Sequence, residues 1–241
     1  NAPSIQGELE NVLKTLTGKR IVVQSAGRTD AGVHALGQTA HFDYSGSIPP
    51  QKLPFVFNSM LPKDIRVTGA WEVSDDFHAR YNAKGKRYIY TIYNSPHSSA
   101  LLYNRTMHVP QALEFQKMRA AAQYIIGTHD FKAFCAAGSY VKSTVRTVSR
   151  LEIAEELPLI RIIIEGNGFL YNMVRIIAGT LIQVGIGKLE LESRSADYSG
   201  TQPRRSRLYR PGAGAYAGRG LLLIFKSILL PSAQGCRRRT T

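Results

Sequence analysis

Residues 145–184 read VRTVSRLEIAEELPLIRIIIEGNGFLYNMVRIIAGTLIQV. Two runs, Val145–Ala154 and Leu159–Glu165, predict a β-hairpin. The second run is nearly all β-branched, which suits a strand. Gly166–Gly168 then breaks the pattern. Phe169–Val184 follows as a mostly buried helix, with Arg175 its single charge. A hairpin that runs straight into a buried helix calls for a layer of sheet under a layer of helix. The class is therefore α+β or α/β.

The residues on either side keep that mixture. Gln111–Ile126 predicts a helix with Gly127 as its stop signal. Lys84–Asn94 (KGKRYIYTIYN) predicts a strand with Tyr88 and Tyr90 on one face and Ile89, Thr91 and Tyr93 on the other. Ile5, Leu9, Val12, Leu13 and Leu16 have helical spacing, closed by Gly18. Arg20–Ser25, Thr39–Tyr44 and Ile65–Val73 are strand candidates, and Pro49–Met60 is a short helix ending before Pro62. Beyond Ser193 the texture changes. Residues 194–220 are rich in Arg, Gly, Ser and Pro without periodicity, which reads as irregular chain, and 221–228 is a last strand candidate.

The chain has 241 residues, 44% of them hydrophobic, enough for a sizeable core. Its net charge is +14 and unevenly spread: residues 193–241 carry ten basic residues and one acid. A basic balance favours a polyanionic partner, and a solvated basic tail is the plainer alternative. Two cysteines, Cys135 and Cys236, make neither a disulfide framework nor a four-ligand zinc site and suggest a reducing compartment. The six histidines lack metal-ligand spacing and read as structural. Arg175 interrupts the longest apolar stretch, so no membrane span is expected there. The stretch GAGAYAG at 212–218 lacks the Lys-Ser/Thr that would make it a phosphate loop.

The densest chemical signal is Gly27-Arg28-Thr29-Asp30-Ala31-Gly32-Val33-His34. Glycines on both sides of Asp30 let the backbone take positive φ and let a large ligand come close. Arg28, two residues away, favours the ionised carboxylate. An ionised Asp serves as nucleophile, general base or metal ligand. Taken alone, such an Asp is most often a turn residue accepting backbone N–H bonds.

Six stretches together resemble the tRNA pseudouridine synthase A family, in its order and spacing: residues 26–42 (AGRTDAGVHALGQTAHF), 75–81 (DDFHARY), 86–94 (KRYIYTIYN), 129–134 (HDFKAF), 142–148 (KSTVRTV) and 166–185 (GNGFLYNMVRIIAGTLIQVG). The resemblance covers about residues 3–192. It implies an α+β pseudouridine synthase fold, with two α/β halves whose antiparallel sheets merge around a central basic cleft. The N-terminal catalytic half would be residues 1–95, and the C-terminal half 96–241 with a divergent basic tail at 193–241. It also implies conversion of uridine to pseudouridine at positions 38, 39 and 40 of the tRNA anticodon stem-loop. The N1–C1′ bond breaks, the uracil turns, and the base rejoins through C5. That reaction needs no redox change or energy source, so no cofactor and no metal are expected. The base must also leave its stack to be worked on.

The same resemblance assigns roles. Asp30 matches the nucleophile, and whether it attacks C1′ or C6 stays open. Tyr88 matches the tyrosine that packs on the target base, where a stacked aromatic contributes about 1–3 kcal/mol. Without the match, Tyr88 would read as one more core aromatic. Arg175 matches an arginine expected to pair with the aspartate, against the alternative of an exposed helix residue. Arg28 is expected to touch the RNA or help flip the nucleotide. Lys84, Lys86 and Arg87 are candidates for phosphate contacts, or a solvated strand end. The implied setting is a cytoplasmic homodimer that binds tRNA and no membrane.

The chain departs from the pattern twice. The family's opening strand, with its YDG loop, is expected to be missing before Asn1. The residues after Ser193 only echo the family's end, which leaves a frame-shifted reading and a genuine RNA-binding tail as alternatives. A catalytically impaired RNA-binding fragment is the second reading of the whole chain. An aspartate-dependent hydrolase on another fold would require all six matches to be coincidence.

Overall fold

A computed structural model describes residues 4–138, 141–190 and 221–224. Helix α1 (Ile5–Thr17) starts where Ser4 Oγ accepts the Gly7 N–H and stops at Gly18, whose φ of 70° lets its N–H reach the Lys14 carbonyl. Such an N-cap is worth about 1 kcal/mol. Val12 and Leu13 are its buried stripe, and they meet Leu53, Phe57 and Leu61 of the next helical segment. That segment is a 3₁₀ turn (Pro50–Lys52) continued by α2 (Leu53–Met60). Leu61, ahead of Pro62, is extended, as the sequence requires.

Three short strands lie between α1 and α2: β1 (Gln24–Ser25), β2 (His34–Ala35) and β3 (Ala40–His41). β1 and β3 form an antiparallel pair that closes the base of the Asp30 loop. The expected strand at 20–25 shortens to two residues. The Val23 N–H donates to Glu10 Oε1 instead of to a neighbouring strand, and that bond helps hold the Glu10 carboxyl below its ordinary value, after the larger contribution of Gln6. The expected strand at 65–73 is not a strand at all. There the Asn58 amide takes both sides of Val67, accepting its N–H at 2.8 Å and donating to its carbonyl at 2.9 Å. A side chain thus satisfies backbone groups that a ladder would otherwise pair.

The large sheet has seven strands. β4 (Lys86–Asn94) is central; β5 (Met107–Val109) follows it, then β6 (Gly127–Asp130), β7 (Val145–Glu156), β8 (Leu159–Gly166) and β9 (Leu221–Ile224). The order is β2-β9-β4-β8-β7-β6. One edge of β4 is taken by β8 along its length; the other is shared by β9 at Arg87–Tyr90 and β5 at Ile92–Asn94. β9 falls inside the strand expected at 221–228. The rest of the basic tail, Cys236 included, lies outside the described residues.

The hairpin of β7 and β8 is as expected, and Ile160, Ile162 and Ile164 alternate inward along β8. They pack with Tyr90 and Ile92 of β4 against the helical layer of α3 (Phe115–Gln123) and α4 (Met173–Gly185). Both helices begin four residues later than their sequence patterns suggest. Cys135 is half-buried beside this core. Among the described residues no helix is long and apolar enough to cross a membrane.

Candidate active site

The Asp30 loop spans the gap between β1 and β2. Its first residue is tied down by the Ala26 N–H donating to Thr39 O at 2.8 Å, one step beyond the β1–β3 ladder. Gln38 Nε2 donates to Gly27 O, a second strap across the loop. At the turn, the Val33 N–H donates to Asp30 O at 3.2 Å, and Gly32 takes a φ of 74°. That left-handed backbone is the reason a glycine follows Ala31. Asp30 is half-buried and Arg28 exposed.

Beneath the loop, Ala26 (0% exposed) and Ala79 (3%) are in contact, with Val33, Phe77 and Tyr88 packed around them. Tyr88 is on the face of β4 that also carries Lys86 and Tyr90. Its ring meets the ring of Phe169 edge to face. Arg175 projects from the first turn of α4 and is only 7% exposed.

The Tyr88 hydroxyl reports how these parts converge. Burial raises its pKa, the Asp30 carboxylate raises it further, and Arg175 opposes them, leaving it at about 12. The interaction of each charge with the hydroxyl falls with distance, so both charges lie near it. The loop aspartate, the strand tyrosine and the helix arginine thus occupy one locality, though they come from three distant parts of the sequence. At neutral pH Tyr88 is a phenol, able to donate a hydrogen bond.

The three basic residues around Tyr88 separate. Lys84 is exposed ahead of β4. Lys86 shares the Tyr88 face, and its pKa is lowered by burial and then by the nearby Arg80 charge. Arg87 points the other way, where Glu165 of β8 holds it at 2.7 Å and also accepts from Arg150. Arg87 therefore braces the sheet on the face away from Tyr88. Arg80 has no role assigned from the sequence; its place within the stretch 75–81 was the available signal. Phe169 is the other unassigned neighbour; its sequence context is that of the helical pattern at 169–184.

Among the described residues no group of three or more His, Cys, Asp or Glu is arranged to hold a metal ion. Four of the six histidines bond to backbone or side chains: His108 to Ser95 O, His129 to Ile126 O, His41 to the Ala79 N–H and His78 to Gln24 Oε1. What the arrangement offers chemically is a carboxylate held on a glycine-rich loop beside a shielded phenol and a buried guanidinium. That set suits attack on, or charge stabilisation in, a substrate that also presents an aromatic ring.

A sequence model of a family described as tRNA pseudouridine synthase matches residues 1–82 and 121–210. Those two blocks contain Arg28, Asp30 and Arg175, and Tyr88 lies between them. Among curated proteins, the chain is 46% identical over 216 residues to tRNA pseudouridine synthase A of Acetivibrio thermocellus, covering 90% of this chain and 88% of that one. It is 51% identical over 187 residues to the protein of the same name from Bacillus licheniformis, covering 77% and 76%. A Thermoanaerobacter relative, again of that name, is 50% identical over 190 residues, covering 79% and 78%.

Proposed function

Because the chain belongs to the tRNA pseudouridine synthase family, an enzyme family, we propose that it isomerises uridine to pseudouridine at positions 38, 39 and 40 of the tRNA anticodon stem-loop, with Asp30 as nucleophile. The observation that carries this reading is the packing of the half-buried Tyr88 against Ala26 and Val33, the two ends of the Asp30 loop, where the charges of Asp30 and Arg175 both act on its hydroxyl.

The reaction is balanced within the substrate. The N1–C1′ bond breaks, a C5–C1′ bond forms, C5 loses its proton and N1 gains one. Asp30 attacks the nucleoside at C1′ or C6. Tyr88 stacks on the displaced uracil in place of its lost neighbours. Arg175 places a positive charge in the same locality as the Asp30 carboxylate. A buried guanidinium needs a compensating partner, and a carboxylate nearby supplies negative charge. Arg28, exposed on the loop, touches the RNA or helps flip the nucleotide. Lys86 and Arg80 add positive charge on the same side as Tyr88, where phosphates would pass.

The halves 1–95 and 96–241 would flank a basic cleft, with β4 of the first half laid against β8 of the second. The enzyme would act as a cytoplasmic homodimer, each tRNA touching both subunits.

Carbodiimide labelling and primer extension on unmodified tRNA test the assignment. New stops one nucleotide 3′ of positions 38–40 after incubation with the chain are expected. Stops elsewhere would reassign the target. Tight tRNA binding without any stop would favour an RNA-binding fragment.

A further inference from the structure

β1 and β3 pair so that Gln24 stands opposite His41. Both side chains reach across to one turn, residues 78–82. His41 Nδ1 accepts the Ala79 N–H at 3.2 Å. Gln24 Oε1 contacts His78 Nε2 at 3.1 Å. His78 Nδ1 in turn accepts from the N–H groups of Arg80 and Tyr81, at 3.2 and 3.4 Å. A backbone N–H can only donate, so each Nδ1 must be an unprotonated acceptor. His78 then carries its proton on Nε2 and donates it to Gln24. The two imidazoles lie 4.7 Å apart, and Tyr81 covers the His78 ring at 4.3 Å.

What they hold matters for the site. Ala79, gripped by His41, is the residue wedged against Ala26 at the root of the Asp30 loop, with Val33 and Tyr88 alongside. The 78–82 turn is thus the spacer between the Asp30 loop and the Tyr88 strand. Three side chains fix its height: His41, His78 and Gln24.

We propose that His41 and His78 are positioning residues for the reaction, which together fix the spacing between the Asp30 loop and Tyr88 through their accepting Nδ1 atoms and the Gln24 anchor. This rests on the synthase reading of the site. The clamp acts chiefly on the geometry of the reacting groups, so its loss lowers kcat far more than it changes KM.

The variants His41→Asn and His41→Phe separate the acceptor from the ring. Asn Oδ1 sits at the same bond distance from Cα as Nδ1 and restores the acceptor; Phe keeps the ring and loses it. On unmodified tRNA, His41→Phe should lower kcat at least tenfold with KM within twofold, and His41→Asn should stay within threefold of the parent. Gln24→Leu, at an exposed position, should lower kcat severalfold with an unchanged melting temperature, and it serves if His41→Phe does not fold. Hydrogen exchange over residues 26–34 gives a readout independent of turnover: faster exchange in His41→Phe and Gln24→Leu, parental exchange in His41→Asn. Parental kcat and exchange in His41→Phe and Gln24→Leu, or an equal loss in His41→Asn and His41→Phe, would overturn the clamp. A parent chain without turnover whose loop still loosens in His41→Phe would overturn the synthase reading and leave the clamp standing.

Discussion

The rings of Tyr88 and Phe169 meet edge to face, with centroids 5.2 Å apart and planes at 87°. Such a pair adds about 0.5–1.5 kcal/mol beyond the area it buries and fixes the orientation of both rings. Phe169 comes from the segment between β8 and α4, so the link that leads into the Arg175 helix supplies the brace for Tyr88.

Shortening that brace should loosen Tyr88 without touching its chemistry. Phe169→Ala should lower kcat on tRNA about tenfold. Tyr88→Leu removes the stacking ring itself, worth about 1–3 kcal/mol, and should lower kcat/KM by roughly 5- to 150-fold. Tyr88→Phe keeps both the stack and the Phe169 contact, so any loss it shows belongs to the hydroxyl. Steady-state kinetics on unmodified tRNA check all three.

The ionisation of Tyr88 tests whether Asp30 and Arg175 converge on it. In the folded chain the phenol should titrate near 12 by ¹³Cζ-tyrosine NMR. Asp30→Asn should lower that value, and Arg175→Gln should raise it, because the first removes a negative neighbour and the second a positive one. The sign also sets a stability window. The fold keeps the Tyr88 proton above pH 10, where the unfolded chain gives it up. Its contribution is therefore intact below 10 and is lost as pH rises towards about 12. Equal shifts in both variants would separate the two charges from Tyr88.

Gly166 ends β8 opposite Lys86. A Cβ placed there would come within 2.5 Å of the Thr147 carbonyl oxygen and 3.3 Å of the Phe169 ring. The first contact is with backbone, which yields little. Gly166→Ala should cost about 1–3 kcal/mol of stability, as overpacking commonly does. Denaturant melts read the stability, and the NMR titration of Tyr88 reads the displaced Phe169.

β2 and β4 touch the same strand from opposite sides. Leu223 of β9 stands beside Ala35 on one edge and Tyr88 on the other. A chain ending at residue 220 would lose the strand that joins the end of the Asp30 loop to Tyr88. It should lose turnover while keeping the β7–β8 hairpin and the α4 layer. Activity assays and circular dichroism on the truncated chain check this.

Much of the fold is legible because some elements declare themselves through their own residues. β8 alternates cleanly, α1 stops at Gly18, and α4 is apolar around one arginine. The failures fall where a partner decides. Val23 bonds to Glu10 and Val67 to Asn58, so one plausible strand shortens to two residues and the other becomes irregular chain. Phe169 belongs to the helical pattern by composition, yet it packs against Tyr88 before the helix begins. The Asp30 loop was readable from its glycines. The His41 grip on Ala79 and the His78 contact with Gln24 span 38 and 54 residues, and no local pattern marks them. Arg87 and Lys86 look alike in sequence; strand alternation puts one in an ion pair and the other beside Tyr88.

The most direct test of the account is tritium release from tRNA bearing [5-³H]uridine, with the parent chain and Asp30→Ala side by side. Forming the C5–C1′ bond expels the C5 hydrogen, so each turnover frees one label. Release by the parent and none by Asp30→Ala, with tRNA binding unchanged, is the predicted result. Equal release by both chains would contradict the role of Asp30, and none by either, with tRNA bound, would contradict the synthase activity itself.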